Sequence, residues 1–193
     1  MTVPVRAEVP EDRVAVREVN VRAFPTSAEA DLVDALRGRA DAGPAISLVA
    51  READGGRIVG HILFTRVHVR PAPAAGAGAG HGTGAAHGAG AAPAWPALAL
   101  GPMAVDPSRQ RRGIGSALVR AGLDACLRAG EPVVFVLGHA GYYPRFGFVP
   151  ARPRGLACKW TVPDDVFLVA ELSPGALAGR SGRVEYHAVF DSV

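Results

Sequence analysis

The segment from residue 97 to residue 129 restricts the fold more than any other part of the sequence. It begins with ALALGPMAV, which is apolar like a strand but is interrupted by Gly101 and Pro102. Because proline has no N–H to offer a neighbouring strand, the strand must bulge or lose its pairing there. Backbone groups at that point are then left for another partner.

The next part of the segment, VDPSRQRRGIGS, leads into a predicted helix from about Gly113 to Ala129. Two glycines and three arginines lie beside the start of this helix. Free N–H groups and the positive end of the helix dipole favour phosphate oxygens at such a position. The residues that we expect to face the core are Ile114, Ala117, Leu118, Ala121 and Ala125.

Two common phosphate-binding loops do not fit this sequence. A P-loop requires a lysine after its second glycine, and the only lysine of the chain is Lys159. A dinucleotide-binding loop requires a third small residue where this chain has Leu118, and it belongs to a βαβ unit that is not predicted here. The remaining pattern is Gln/Arg-x-x-Gly-x-Gly/Ala, from Gln110 to Gly115.

The rest of the chain predicts an α/β fold with a mixed sheet. TVPVRAEV is a predicted strand, and a helix follows from Pro10 to about Phe24. Thr26 and Glu29 have the spacing of a capping box at the start of a second helix. ISLVARE and GRIVGHILFTRVHV predict an antiparallel hairpin. PVVFVL is typical of a buried strand, and we expect it to run parallel to ALALGPMAV because a helix connects them.

Residues 71–96 consist almost wholly of alanine, glycine and proline. Such a segment buries too little apolar surface to offset the entropy lost when its backbone is ordered. We therefore predict a disordered loop insertion within a single domain over residues 1–193. His81 and His87 lie in this segment without a nearby carboxylate or thiol partner, so we expect no metal site.

Composition excludes several classes of protein. With 193 residues, 49% of them hydrophobic, the chain can form a substantial core. It has no apolar run that would span a membrane and no signal-peptide pattern, so we expect a cytoplasmic protein without membrane contact. The net charge of +3 comes without a lysine-rich run or interleaved aromatic residues, and we expect no nucleic-acid partner.

The loop and its surroundings resemble the GNAT family of N-acetyltransferases. The resemblance rests on QRRGIG after MAVDP and on YYPRFGF, and it is greatest to small bacterial acetyltransferases that carry LGPMAV, VFVLGH and YYPRFGFVPA. It implies a central mixed sheet of six to seven strands, with a V-shaped splay between strands 4 and 5 and about four flanking helices. It also implies an enzyme that moves an acetyl group from acetyl-CoA to a primary amine of a small molecule or protein by direct attack.

The resemblance further implies where acetyl-CoA binds. The backbone of the bulged strand would pair with the pantetheine arm, at Met103, Ala104 and Val105. Amides of the loop would surround the pyrophosphate, with glycines allowing close approach. These loop residues are Arg111, Arg112, Gly113, Ile114, Gly115 and Ser116. Arg109, with its two neighbours Arg111 and Arg112, would add charge for the remaining phosphate.

Tyr143 is the predicted acid for the departing thiolate, since the family often has a tyrosine four residues before the glycine that is Gly147 here. A phenol pKa of about 10 exceeds the roughly 8.5 of a thiol, so the tyrosine stays protonated. Tyr142 is the alternative. His139 occupies a loop where many relatives have an asparagine, and it would cap the helix, contact the cofactor or take a proton. The base is left open among ordered water and three side chains, Glu52, His61 and His68.

Residues 151–165 are predicted to border the acceptor pocket, with Trp160 as a wall or a loop anchor. Arg152 and Arg154 either attract an acidic acceptor or are solvated charges. The tail RVEYHAVF predicts an edge strand or a subunit contact, which leaves a homodimer open. Two other functions also stay open: an acetyl-CoA sensor without turnover, and an arginine-dependent RNA binder.

Overall fold

The fold is described from a computed structural model over residues 3–37, 39, 44–52, 55–71 and 93–192. The predicted disordered insertion, with His81 and His87, lies mostly in residues 72–92, outside these ranges. One boundary of the insertion is corrected. Trp95 and Pro96 already belong to a strand, where they pair with Val69 and His68.

The described residues form nine strands and three α-helices. The strands are β1 (Val5–Ala7), β2 (Pro44–Arg51), β3 (Ile58–Arg70), β4 (Trp95–Val105), β5 (Val133–Leu137), β6 (Val149–Pro150), β7 (Leu156–Ala157), β8 (Phe167–Glu171) and β9 (Gly182–Glu185). The helices are α1 (Arg13–Ala23), α2 (Ala28–Arg37) and α3 (Ile114–Arg128). The sheet exceeds the expected six to seven strands because β6 and β7 have two residues each. The expected fourth helix is a four-residue 3-10 turn, Tyr143–Phe146.

The sheet is mixed, as predicted, with the order β1-β2-β3-β4-β5-β8-β6. Strands β4 and β5 are parallel, and the other neighbours in this order are antiparallel. Strand β9 comes from the tail and pairs with the far end of β3 and with β7, so the tail adds a strand to its own sheet. Within the described ranges, no helix is long and apolar enough to cross a membrane.

Strands β4 and β5 separate part-way along their length. They pair only where Leu98–Leu100 lies beside Val134–Val136. Beyond this point β4 stays paired with β3 as far as Val105, so its other edge is left unpaired towards the diverging β5. The V-shaped splay expected between strands 4 and 5 is therefore present.

The predicted bulge in β4 lies at the start of this splay. Ile62 pairs with Met103 and Phe64 pairs with Leu100, so two residues of β4 oppose the single residue Leu63. Those two residues are Gly101 and Pro102. Since an extra residue bends the strand that carries it, the bulge directs the end of β4 away from β5.

Helices cover both faces of the sheet. Helices α1 and α2 pack on one face, and α3 packs on the other. The buried residues of α3 are Ile114, Leu118, Val119, Gly122, Leu123 and Cys126. The predicted face was partly wrong. Ala117 and Ala125 are only half-buried, whereas Ala121 is half-buried but packs against the core. The helix instead turns Gly122 towards β3, where any side chain would overlap the ring of Phe64, so this glycine lets α3 approach the strand closely.

The start of α2 differs from the predicted capping box. The helix begins at Ala28, whose N–H donates to Thr26 Oγ1 at 3.3 Å. The carboxylate oxygen Oε2 of Glu29 is buried without a hydrogen-bond partner among the described residues. This oxygen therefore does not form the acidic half of the predicted box.

Candidate active site

An outer cleft of about 680 Å³ lies between the unpaired edge of β4 and the start of α3. Six of the nine residues predicted to bind acetyl-CoA line it, namely Met103, Val105, Arg111, Gly113, Gly115 and Ser116. The other three do not contribute side chains to its wall. Ala104 and Ile114 are buried in the core, and Arg112 is exposed. His139, for which contact with the cofactor was one of three predicted roles, also lines the cleft. The lining is completed by residues not predicted as cofactor ligands: Gln110, Tyr142, Tyr143 and Arg145.

The loop before α3 has a backbone shape suited to an anion. Arg111 has φ +59° and Gly113 has φ +84°, whereas Arg112 between them does not have a positive φ. Such alternation turns successive N–H groups towards one side, as in anion-binding nests. A left-handed conformation costs a non-glycine residue about 1–2 kcal/mol, so the strain at Arg111 must be held by its surroundings.

Asp106 holds the entrance to this loop, and sequence reasoning did not find it. Its buried carboxylate accepts hydrogen bonds from the Ser108 hydroxyl at 2.6 Å, the Ser108 N–H at 3.0 Å and Arg22 Nε at 3.0 Å. The Ser108 hydroxyl holds the pKa of this carboxyl below its ordinary value. The sequence Asp-Pro-Ser was a usable signal, since aspartate often accepts the backbone N–H two residues on.

An inner cavity of about 580 Å³ lies beside the outer cleft. It extends from the splay towards α1 and α2, and its walls are mostly apolar. Its lining consists of Phe24, Glu29, Leu32, Ala99, Leu100, Gly101, Pro102, Met103, Leu137, Gly138, His139, Tyr143, Trp160, Val162, Tyr186 and Phe190. Met103, His139 and Tyr143 line both spaces, so the two meet at the splay.

Comparison with known proteins agrees with this geometry. Residues 13–148 match the model of the Acetyltransferase (GNAT) family. The chain belongs to the GNAT family. It is 40% identical to the uncharacterized N-acetyltransferase YjhQ of Escherichia coli over 80% of this chain and 74% of that protein. It is 33% identical to the uncharacterized N-acetyltransferase YhbS of the same species, over 97% of this chain and 98% of that protein.

Two solved structures of GNAT proteins share the whole fold. The crystal structure of E. coli YhbS in complex with CoA has a TM-score of 0.81 and 30% identity, covering 98% of this chain and 92% of that one. A GNAT acetyltransferase from Brucella melitensis in complex with acetyl-CoA has a TM-score of 0.69 and 32% identity, covering 98% and 99%. The protein is therefore an acyltransferase with the GNAT fold.

The two tyrosines of this GNAT protein have different surroundings. Tyr143 is only 6% exposed, and burial raises its pKa above the ordinary value. Its ring fits against Gly138, where any side chain would overlap it. Tyr142 lies in the outer cleft only, and its hydroxyl is 2.8 Å from the point where a Cβ of Gly115 would lie. Tyr143 therefore stands at the junction, while Tyr142 stands over the loop.

None of the three side chains considered as a base lines the inner cavity. Glu52 pairs with Arg109 at 2.6 Å, so the predicted base and the predicted phosphate ligand neutralise each other. His68 is exposed on β3. His61 is completely buried between Asn20 Nδ2 at 3.1 Å and Ser47 Oγ at 3.0 Å, and burial lowers its pKa. Alternation along β3 did not reveal which face α1 covers.

Part of the segment predicted to border an acceptor pocket, residues 151–165, lies at the inner cavity. Trp160 and Val162 line the inner cavity. Arg152 forms an ion pair with Asp164 at 2.5 Å and lines a separate cavity of about 280 Å³, while Arg154 is exposed. In the part of the chain that the structure describes, no group of histidine, cysteine, aspartate or glutamate side chains is arranged to hold a metal ion.

Proposed function

We propose that this acyltransferase moves the acetyl group of acetyl-CoA to a primary amine. The observation that carries the proposal is the junction of the outer cleft with the inner cavity, where Met103, His139 and Tyr143 line both. A donor in the cleft and an acceptor in the cavity would meet at this junction. Such a meeting point is what transfer between two bound molecules requires.

Acetyl-CoA as the donor is supported by the shape of the outer cleft. The unpaired edge of β4 from Met103 to Val105 offers N–H and C=O groups to the amides of a pantetheine arm. The loop from Arg111 to Ser116 offers N–H groups and the N-terminus of α3 to the pyrophosphate. The related YhbS and Brucella proteins were solved with CoA and acetyl-CoA respectively.

The chemistry follows from the groups at the junction. A neutral amine attacks the thioester carbonyl, and the negative charge that develops on oxygen needs a donor. The backbone N–H of Met103 supplies it in this proposal, because the N–H of Ala104, like that of Asp106 two residues on, is directed towards β3. When the tetrahedral adduct collapses, the C–S bond breaks, the thiolate takes a proton from the hydroxyl of Tyr143, and Tyr143 regains a proton through water, so the proton that the amine lost balances the one that the thiol gained. Burial keeps that hydroxyl protonated, because it raises the pKa of the phenol.

The proton that the amine loses passes to water or to His139, the one imidazole on the wall of both spaces among the described residues. This histidine is exposed, so water reaches it directly. A buried side-chain base is not required in this scheme, since neutral amine is available at moderately alkaline pH.

Thiol release from acetyl-CoA in the presence of a panel of amines tests the proposal. We expect release that depends on the amine and yields one N-acetyl product for each thiol. Binding of acetyl-CoA without thiol release for any amine would instead support a sensor or structural module. Failure to bind acetyl-CoA would contradict the assignment of the cleft.

A further inference from the structure

The inner cavity contains one carboxylate for which the scheme above has no role. Resting on the proposed function, we propose that Glu29 binds the ammonium group of the acceptor, and that the acceptor is an amine carried on an apolar body. The bound ammonium gives a proton to water or to His139 before the neutral amine attacks. The inference concerns the acceptor alone, so it is separable from the identity of the donor.

The first observation is the state of the Glu29 carboxylate. Glu29 lines the inner cavity, and its Oε2 is buried without a hydrogen-bond partner among the described residues. Glu29 as a whole is half-buried, so this holds for one of its two oxygens. A buried polar atom without a partner is unfavourable, because it has lost water and gained nothing in exchange. A ligand in the cavity with N–H donors and a positive charge would give this carboxylate a partner once the side chain turns towards it.

The second observation is that helix capping does not explain why a glutamate stands at position 29. Glu29 is the second residue of α2, and the helix dipole favours a negative charge there. The hydroxyl of Thr26, however, is the acceptor for the first N–H of the helix. Glu29 therefore lines the cavity, and its Oε2 accepts no capping hydrogen bond.

The third observation is that the other residues lining the inner cavity are mostly apolar. Phe24, Leu32, Trp160, Val162 and Phe190 give the cavity an apolar surface. No arginine or lysine of the described ranges lines it, so an anionic acceptor would meet Glu29 without a compensating charge. These walls favour a cation with an apolar body over an acidic acceptor.

Tyr186 adds a second unsatisfied polar group to the same wall. It lines the inner cavity, and its hydroxyl is buried without a hydrogen-bond partner among the described residues. An ammonium group has three N–H donors, so it can serve more than one acceptor atom. Tyr186→Phe should therefore weaken amine binding less than a change at Glu29, since it removes no charge.

Calorimetry of amine binding to the CoA-saturated protein tests the proposal without turnover. The probes share one apolar body: 2-phenylethylamine, neutral 2-phenylethanol and anionic 3-phenylpropanoate. We expect the amine to bind most tightly, and Glu29→Gln to weaken it by about 10–100-fold, the range for a lost charge-assisted hydrogen bond. Glu11→Gln removes an exposed carboxylate outside the cavity lining and should leave amine affinity unchanged.

The melting temperature of Glu29→Gln provides an independent readout. A residue kept for stability would lower the melting temperature when changed, whereas removal of an unpaired buried charge should leave it equal or higher. Equal affinity of wild type and Glu29→Gln for the amine would overturn the proposal, as would tighter binding of 3-phenylpropanoate or no binding of the amine. Glu29-dependent binding without thiol release from acetyl-CoA would contradict the proposed function and leave this inference standing.

Discussion

At the scale of single residues, Tyr143 and Tyr142 are adjacent in sequence but serve different spaces. If Tyr143 protonates the leaving thiolate, Tyr143→Phe keeps the packed ring and removes only the hydroxyl. We expect acetyl-CoA affinity to hold while turnover falls by about 10²–10⁴-fold, the usual contribution of a general acid. Steady-state kinetics with an accepted amine at saturating acetyl-CoA measures this.

Tyr142→Phe is the matched control for that change. Its hydroxyl lies over Gly115 in the outer cleft, so its loss should affect acetyl-CoA affinity more than turnover. A large fall in turnover for Tyr142→Phe alone would assign the acid to Tyr142. Unchanged turnover in both variants would show that the thiolate leaves without help from either side chain.

Gly138 determines where the ring of Tyr143 can lie. A Cβ at Gly138 would overlap that ring, so Gly138→Ala must displace it from the junction. We expect lower turnover and a loss of about 1–3 kcal/mol in the free energy of unfolding, as for other overpacked sites. Gly141→Ala is the control, because no atom lies within 4 Å of its added Cβ. Equal turnover in the two variants would contradict the placement of Tyr143.

The positions of the glycines in the loop before α3 could be predicted from the sequence, whereas the surroundings of His61 and Glu29 could not. The spacing of Gly113 and Gly115 is a backbone requirement, and it can be read from the chain alone. The burial of His61 depends on α1 lying over β3, which is a tertiary contact. Glu29 was assigned to a capping box because its spacing from Thr26 fits that motif. Its place on the wall of the inner cavity depends on how α2 packs, which the local sequence does not show.

At the scale of elements, the close packing of α3 on β3 holds the loop at the mouth of the outer cleft. Gly122 lies beside Phe64, and a methyl group there would overlap the ring. Gly122→Ala should lower the free energy of unfolding by about 1–3 kcal/mol despite the better helix propensity of alanine. Chemical denaturation measures this change. Increased stability would show that α3 can shift without cost.

The elements themselves were predicted with uneven success, for physical reasons. The bulge in β4 could be predicted from Pro102 alone, because a residue without an N–H disturbs strand pairing at its own position whatever the rest of the fold. The fourth helix was not formed, because the Tyr143–Phe146 segment ends at Gly147 after a single turn with φ +88°. The buried face of α3 was misplaced, since periodicity treated small alanines as core residues while Gly122 forms the actual contact.

At the scale of the whole molecule, stability should depend on pH through His61. Burial lowers the pKa of this histidine in the folded protein, although Glu8 lies 3.7 Å from its Nε2 and favours the charged form. The unfolded chain binds a proton near pH 6.5, so the unfolded state carries more protons below that value. Stability is therefore full above about pH 6.5 and falls as the pH drops below it.

Thermal unfolding between pH 8 and pH 5 measures this effect. The melting temperature of wild type should decline over the lower part of that range, and His61→Gln should show a smaller decline from a lower starting value. His68→Gln changes an exposed histidine and should keep the wild-type slope. The same slope in all three proteins would show that His61 does not control the transition.

The central claim is that the outer cleft binds acetyl-CoA through the loop before α3, and calorimetric titration tests it most directly. Gly115 and Gly122 lie on the same helix, one beside the cleft and the other in the core. Gly115→Val fills space at the loop and should weaken acetyl-CoA binding far more than folding. Gly122→Ala should lower the melting temperature and weaken acetyl-CoA binding much less than Gly115→Val does. Wild-type affinity in folded Gly115→Val would contradict the claim.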